Sequence, residues 1–224
     1  IHTGGIDHIS VHHTNEIAQS EAATGRKFVN FWLEGEHLLV NGEKMSKSLS
    51  NYYRLADIEK KGFSPLAFRY LVLTAHYSTR LNFTWESLQA AQTALNNLYR
   101  EISGYGKPTE VNKEFEEKFQ VAINNDLDTP AAVAVVWELV KSDLPDGVKA
   151  KTILKFDEVL GLDLGTWVQA GRIESVEVEE LLKQREAARA SKDFAKSDEL
   201  RKQIADRGFE VVDTDQGPKL KKIV

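Results

Sequence analysis

The spacing of hydrophobic positions changes near residue 55, from strand-like clusters before it to a helical repeat after it. The opening IHTGGIDHIS predicts a strand that runs into a glycine turn. HHTNEIAQSEAATG predicts a short helix that ends at Gly25. FVNFWLEGEHLLV is rich in aromatic and aliphatic residues on both sides of Glu34-Gly35, which predicts a β-hairpin. The first part of the chain is therefore predicted to be a fragment of an α/β domain.

Residues 55–162 carry apolar side chains at helical spacing, which predicts a helical bundle. Leu88 and Leu95, for example, fall on one face of a helix that Thr84 is expected to cap, with Glu86 as a loose capping-box partner. The predicted bundle helices are SPLAFRYLVLTAHY, TWESLQAAQTALNNLYREI, NKEFEEKFQVAINN, TPAAVAVVWELVKS and GVKAKTILKFDEVLGL.

The last quarter of the chain is predicted to form a small separate module. DLGTWVQAGRIES is predicted to be a linker, and two helices broken near Lys192-Asp193 follow it. FEVVDTDQGPKLKKIV predicts two strands joined by an Asp/Gly/Pro turn. The predicted fold class is therefore a mixed α/β fragment at 1–54, a helical bundle at 55–165 and a C-terminal α+β module at 166–224.

Composition excludes several classes of protein. Hydrophobic residues make up 42% of the 224 residues and charged residues 28%, as in ordinary globular proteins. The sequence contains neither a signal-peptide pattern nor an apolar run of the roughly 20 residues that a membrane span needs. Without cysteine it forms no disulfide or thiolate metal site of its own, which fits a reducing, cytoplasmic location. The net charge of −5 argues against nonspecific coating of nucleic acid.

The segment GEKMSKSLSN places Lys44 and Lys47 on a short stretch of small residues. Two long cationic side chains on a flexible loop can follow charge that moves between phosphate oxygens. Ser46 and Ser48 keep the loop small and offer hydroxyl donors. The alternative is a solvated basic surface loop, which is the usual role of two nearby lysines.

The segment HHTNE offers a second candidate site. His12 and Glu16 are four residues apart and share one face of a helix, where an imidazole and a carboxylate can ligate one zinc ion. The alternative is an ordinary helix N-terminus with a surface glutamate.

KMSKS resembles the signature loop of class I aminoacyl-tRNA synthetases. In order along the chain, HTGGIDHISVHHTNEIAQSEAATG, GEHLLVNGEKMSKSLSN, LNFTWESL, NNDLDTPAA and FDEVLGL resemble cysteinyl-tRNA synthetases. The tail REAARASKDFAKSDELRKQIADRGFEVVDTDQG is similar to the anticodon-binding end of bacterial members. The resemblance covers nearly the whole chain and corresponds to the C-terminal half of the family, without the first part of its Rossmann-type catalytic domain.

The resemblance implies activation of cysteine by ATP, with magnesium, and transfer of cysteine to tRNA(Cys). Lys47 would contact the ATP phosphates, and Lys44 would support the loop and its charge. Gly4 and Gly5 would let the backbone approach the adenosine. Asp7 is a candidate ribose contact, with a turn-forming aspartate as the alternative.

The resemblance also implies a zinc ion that binds the thiolate of the cysteine substrate. His12 and Glu16 match two of its four protein ligands, and the other two are cysteines of the N-terminal half, so this chain carries half of the site. His13 matches no ligand and is expected at the pocket wall or in the helix cap. Thr14 and Ser50 depart from the family's commoner acidic residue and glycine.

The resemblance places four residues in anticodon recognition: Arg189, Phe194, Asp198 and Asp213. Arginine suits guanine edges or phosphate, an aromatic ring stacks on a base, and carboxylates accept hydrogen bonds from amino groups. Two alternatives are that Phe194 is a core residue between helices and that Arg189 pairs with Glu186. Additional phosphate contacts are expected from Lys219, Lys221 and Lys222.

The sequence thus predicts a chain that binds tRNA but does not catalyse the reaction alone. The family's His-Ile-Gly-His-type ATP motif precedes residue 1, and the chain opens without methionine on a predicted strand, so the N-terminal half is expected as a partner. One alternative is a noncatalytic tRNA-binding half-synthetase. Another is a ligase that joins cysteine to an amino-sugar, which would lack the anticodon-binding tail.

Overall fold

The computed structural model describes residues 1–49, 51–191, 193–207, 209–214 and 217–222, without the side chains of 170–176, 179, 213, 214, 217 and 219–222. The strands in the described chain are β1 His2–Gly5, β2 Trp32–Gly35, β3 Leu38–Val40, β4 Glu43–Lys44, β5 Leu81–Phe83, β6 Phe209–Thr214 and β7 Gly217–Lys222. The α-helices there are α1 Thr14–Thr24, α2 Leu55–Lys60, α3 Pro65–Leu73, α4 Trp85–Ile102, α5 Lys113–Asn124, α6 Thr129–Lys141, α7 Asp146–Leu160, α8 Leu164–Ala190 and α9 Phe194–Asp206. A 3₁₀ turn and a π-helical turn join β1 to α1.

The first part of the chain is α/β, as predicted, but its strands pair differently from the prediction. A hairpin across Glu34-Gly35 was expected, and this prediction is wrong. Strand β2 pairs in parallel with β1, and β3 lies between β4 and β5. The tight turn falls instead at Asn41-Gly42, where φ is 51° and 80°. Asparagine and glycine tolerate such positive φ angles, so this dipeptide reverses the chain between β3 and β4.

The helical bundle contains all five predicted helices. Thr84 caps α4, as expected, and its Oγ1 accepts a hydrogen bond from the Ser87 amide at 3.0 Å. The reciprocal partner is Ser87, whose Oγ accepts from the Thr84 amide at 3.0 Å, and not Glu86. Ser87 is the third residue after the cap, and only that position can reach back to the Thr84 amide. Val40 of β3 and Phe83 of β5 are buried in the same core as the bundle helices.

Residues 163–175 were predicted to be a linker, and this is wrong because α8 begins at Leu164. Leu164 and Val168, one turn apart, are buried in the bundle core. Trp167 stacks on Tyr99 with ring centres 4.5 Å apart. Tertiary burial therefore makes this stretch helical where its own pattern is weak. Helix α8 continues through the predicted boundary at 165/166.

Tyr99 ties the start of α8 to α4, and its removal gives a first test. Its hydroxyl donates to the Leu162 carbonyl at 2.7 Å. Tyr99→Phe should lower the free energy of unfolding by about 1 kcal/mol, as measured by urea denaturation. Burial raises the pKa of Tyr99 from 10.0 to about 12. The unfolded chain therefore loses this proton first, and the stabilisation is complete below pH 10 and is lost as the pH rises towards 12. The difference between wild type and variant should shrink as the pH rises from 10.0 to about 12, and a growing difference would contradict this assignment.

The C-terminal module consists of α8, α9 and the β6–β7 hairpin. Helix α8 ends at Ala190 and α9 begins at Phe194, so the predicted interruption between the two helices is confirmed, although Lys192 itself lies outside the described residues. Strands β6 and β7 pair antiparallel, as predicted. Val178, Ile204 and Val211 form a small core of their own. None of the described helices has the length and apolar character to cross a membrane.

Candidate functional site

The two lysines of the signature loop are presented to solvent. Lys44 ends β4, and Lys47 lies in the following turn, with its Nζ 5.8 Å from the Tyr52 ring centre. The Ser46 hydroxyl accepts a hydrogen bond from the Leu49 amide at 3.2 Å and closes that turn. Neither lysine forms an ion pair within the part of the chain that the structure describes. Both ammonium groups are therefore available to an anionic ligand.

Gly4 and Gly5 lie at the end of β1, and Gly4 lies against a histidine. A Cβ atom on Gly4 would come within 2.8 Å of His13 Nε2 and 3.0 Å of His8 Nδ1. The missing side chain at Gly4 thus makes room for the His13 ring. Asp7 follows in the 3₁₀ turn with an exposed carboxylate, 3.9 Å from His37 Nε2.

His13 is the buried centre of a histidine–carboxylate cluster. It is 3% exposed, and its Nδ1 lies 2.8 Å from Glu34 Oε1. His2 Nε2 lies 3.1 Å from Glu16 Oε2, and the His2 and His13 rings are in edge contact with centres 5.0 Å apart. His13 is the N-cap residue of α1, as one of the two expectations had it, but its side chain makes no cap hydrogen bond and lies buried in the cluster instead.

The predicted pair His12 and Glu16 lies on the outer side of this cluster. His12 is 61% exposed, and its Nε2 is 3.7 Å from Glu16 Oε1. The other Glu16 oxygen, Oε2, is buried, and although His2 Nε2 lies 3.1 Å from it, no described group makes a hydrogen bond to it, which suits a carboxylate that binds a cation. Within the described residues, His2, His13 and Glu16 also bring ligand atoms within 4.8 Å of one another. Imidazole and carboxylate are donors that zinc accepts.

The sequence motifs assigned no place in this cluster to two of its members, His2 and Glu34. Glu34 was interpreted as part of a turn, and His2 had no motif partner nearby in sequence. The parallel register of β1 and β2 places Gly4 opposite Glu34 and so brings the carboxylate to His13. No local sequence signal contains this pairing.

The turn between α8 and α9 presents three of the four residues predicted to recognise the anticodon. Arg189 is exposed in the last turn of α8. Phe194 opens α9 and is 65% exposed, so the alternative of a core residue is wrong for it. Asp198 is exposed one turn later, on the same side of α9. Asp213 lies on β6 with its backbone opposite Pro218, but its side chain is outside the described residues, as are those of Lys219, Lys221 and Lys222.

Comparison with protein families defines the class of this chain. Residues 1–93 match the family model described as the class I (C) tRNA synthetase catalytic domain. Residues 174–217 match the model described as the cysteinyl-tRNA ligase anticodon binding domain. The first match extends beyond residue 54 into the helical part. The start of the chain thus resembles part of a class I aminoacyl-tRNA synthetase catalytic domain, and its end resembles an anticodon-binding domain.

The curated relatives that the chain resembles are cysteine–tRNA ligases. The chain is 45% identical to cysteine–tRNA ligase 1 of Burkholderia lata over 98% of its own length and 47% of that protein. The cysteine–tRNA ligase of Brachyspira hyodysenteriae is 40% identical over 99% of the chain and 52% of that protein. The resemblance to cysteinyl-tRNA synthetases is therefore confirmed, and the chain spans about half the length of the curated relatives it matches.

A solved structure shares the fold. A LeuRS of Agrobacterium radiobacter K84, in a ternary complex with tRNA and LeuAMS, matches 75% of this chain and 26% of that protein with a TM-score of 0.52. At 18% identity, this likeness concerns the fold alone.

Proposed function

We propose that this chain is the C-terminal half of a cytoplasmic cysteine–tRNA ligase, which activates cysteine with ATP and transfers it to tRNA(Cys). The observation that carries the proposal is the combination, on one chain, of the lysine loop within the catalytic-domain match and the anticodon-domain match. The tail match also counts against a cysteine:amino-sugar ligase, which would have no use for an anticodon-binding domain.

The signature loop acts on the nucleotide. Adenylate formation expels pyrophosphate, and negative charge builds up on the leaving group in the transition state. The exposed ammonium of Lys47 follows that charge, and Lys44 adds to the local positive potential. Gly4, Gly5 and Asp7 lie at the adenosine side, where the Asp7 carboxylate is free to accept from ribose hydroxyls. Magnesium arrives with ATP.

His12 and Glu16 form this chain's share of a zinc site. When bound, zinc supplies an affinity for thiolate that selects cysteine over serine. His12 Nε2 and a Glu16 oxygen provide two donors on the exposed side of the cluster. His2 lies against Glu16 and supports the Glu16 carboxylate. Glu34 in turn lies against the buried His13 ring. Two further donors come from the N-terminal half.

Exposed apolar side chains near β1 and β2 support the proposal that an N-terminal segment packs against this part of the chain. A parallel β1–β2 pair is rarely stable in isolation, because parallel strands usually lie inside larger covered sheets. Several large apolar side chains near these strands are exposed: Ile1, Ile6, Ile9, Val11, Phe28 and Phe31. An N-terminal half of the catalytic domain would extend the sheet and cover them. The chain alone is then a noncatalytic tRNA-binding unit, within the proposed division at 1–54, 55–165 and 166–224.

The test is an aminoacylation assay of this chain beside the full-length synthetase, in which the chain is joined to the N-terminal half. The chain alone should yield no cysteinyl-tRNA and should hold well under one zinc per molecule after dialysis, because two mixed ligands leave the tetrahedron open. The full-length protein should be active and hold one zinc. Glu16→Gln and His12→Ala should each lower its zinc content, with His37→Ala, at a half-buried histidine outside the cluster, as the control. Tight stoichiometric zinc in the chain alone would mean that His2 and His13 are ligands and would contradict the half-site.

A further inference from the structure

The side chain of Asn51 hydrogen-bonds to the backbone of the signature loop on both sides of Met45. Its Oδ1 accepts from the Ser46 amide at 2.8 Å, and its Nδ2 donates to the Lys44 carbonyl at 3.1 Å. In an extended strand, the carbonyl before a residue and the amide after it point to the same edge. The carboxamide of Asn51 therefore takes the place of a neighbouring strand and continues the edge of β4 by one residue.

This contact fixes which way Met45 points. Met45 is half-buried and packs against the main core. It lines a cavity of about 130 Å³ whose other apolar walls are Leu38, Tyr53, Leu55, Ile58, Phe68 and Phe83. Because side chains alternate along an extended backbone, an inward Met45 turns Lys44 outward. Asn51 from one side and the Met45 side chain from the other thus hold the same three residues.

The position of Lys47 follows from this anchor. Lys47 comes directly after Ser46, whose amide is bound by Asn51. The Ser46 hydroxyl accepts from Leu49 and lies 3.1 Å from the Ser48 hydroxyl, so the turn that carries Lys47 is built on Ser46. Without the carboxamide, the backbone groups at Lys44 and Ser46 would hydrogen-bond to water, and the turn would be free to swing away from the core.

We infer that Asn51 is a positioning residue for adenylate formation, one that acts through Lys47 by holding the loop between the two signature lysines. The inference rests on the proposed function, since it assumes that Lys47 meets the ATP phosphates. A carboxamide is required because it carries a donor and an acceptor on one planar group. Aspartate at this position keeps the acceptor and loses the donor.

The test is a double-mutant cycle in the full-length synthetase, with the rate of cysteinyl-adenylate formation measured by rapid quench. Asn51→Ala should slow that step about 10- to 100-fold, with a fall in kcat and little change in the KM for ATP. In a Lys47→Ala background the same change should cost no more than about 2-fold, because the two residues act as one unit. Asn97→Ala is the matched control, since Asn97 accepts from Arg100 Nη2 at 2.9 Å far along α4 and should leave the rate unchanged.

A second readout reports on the loop without catalysis. Hydrogen exchange of the Ser46 amide should speed up about 10-fold or more in Asn51→Ala and stay slow in Asn51→Asp, which still accepts from it. Slow exchange of the Ser46 amide in Asn51→Ala would overturn the inference. So would a loss of adenylate-formation rate on Asn51→Ala that is equally large in the wild-type and Lys47→Ala backgrounds. If Lys47→Ala itself leaves the rate unchanged, the proposed function of the loop fails. If Lys47→Ala slows the rate and Asn51→Ala does not, only the role of Asn51 fails.

Discussion

Lys47→Ala in the full-length synthetase should slow formation of cysteinyl adenylate by about 10²-fold or more and leave the melting temperature unchanged. The side chain is exposed and forms no ion pair with any residue that the structure describes, so its removal disturbs no packing. Its expected contribution arises only when charge develops on the departing pyrophosphate. The effect should therefore appear in kcat and much less in cysteine binding.

The measurement is pre-steady-state ATP consumption with saturating cysteine. Lys60→Ala is the matched control, because Lys60 is an exposed lysine at the end of α2, outside the signature loop. Lys60→Ala should react at the wild-type rate. An unchanged rate in Lys47→Ala would remove this residue from the mechanism.

The second large effect is expected at the α8–α9 turn. Arg189→Ala should weaken binding of a cysteine tRNA by roughly 1–3 kcal/mol, if the guanidinium reads a base edge of the anticodon. Phe194→Ala should cost a similar amount of about 1–3 kcal/mol through lost base stacking. Because Phe194 is 65% exposed, its truncation should hardly change the stability of the protein. We expect a comparable loss for Asp213→Ala.

Two controls separate recognition of the anticodon from general affinity. Lys221→Ala should weaken the binding of all tRNAs alike, since a phosphate contact carries no sequence information. Val121→Ala removes an exposed apolar side chain from α5, outside the C-terminal module, and should change nothing. If Phe194→Ala and Val121→Ala bind tRNA equally well, the exposed ring has no part in recognition.

Local sequence signals predicted the elements of this fold better than their pairing. The Thr84 cap and the Gly25 stop are local and are confirmed, with Gly25 at φ 63°. The strand partners of β2 and β3 depend on contacts that are distant in sequence, and a hairpin was wrongly predicted there. Leu164 and Val168 are helical because they pack into the bundle, which no local pattern of that stretch contains.

The same difference between local signals and contacts distant in sequence holds for the candidate sites. The lysine loop and the His12/Glu16 pair are contiguous motifs, so phosphate and zinc were among their possible ligands from the residue types, and the family resemblance selected these over a basic surface loop and an ordinary helix N-terminus. His2 and Glu34 reach the cluster only through the parallel register of β1 and β2. The role of Asn51 was also invisible in the sequence, because it depends on which backbone groups its carboxamide meets.

The central claim, that this chain carries the tRNA-binding half of a cysteine–tRNA ligase, is tested most directly by fluorescence anisotropy of the chain alone. One probe is a labelled cysteine tRNA, and the other is the same tRNA altered only in its anticodon. The cysteine tRNA should bind with a Kd of about micromolar strength that weakens steeply with salt, because phosphate contacts release counterions. The altered tRNA should bind at least about 5-fold more weakly, the lower end of the cost of one lost base contact. Equal affinity for the two tRNAs, unchanged in Asp213→Ala, would contradict the account and leave the C-terminal module as a structural cap.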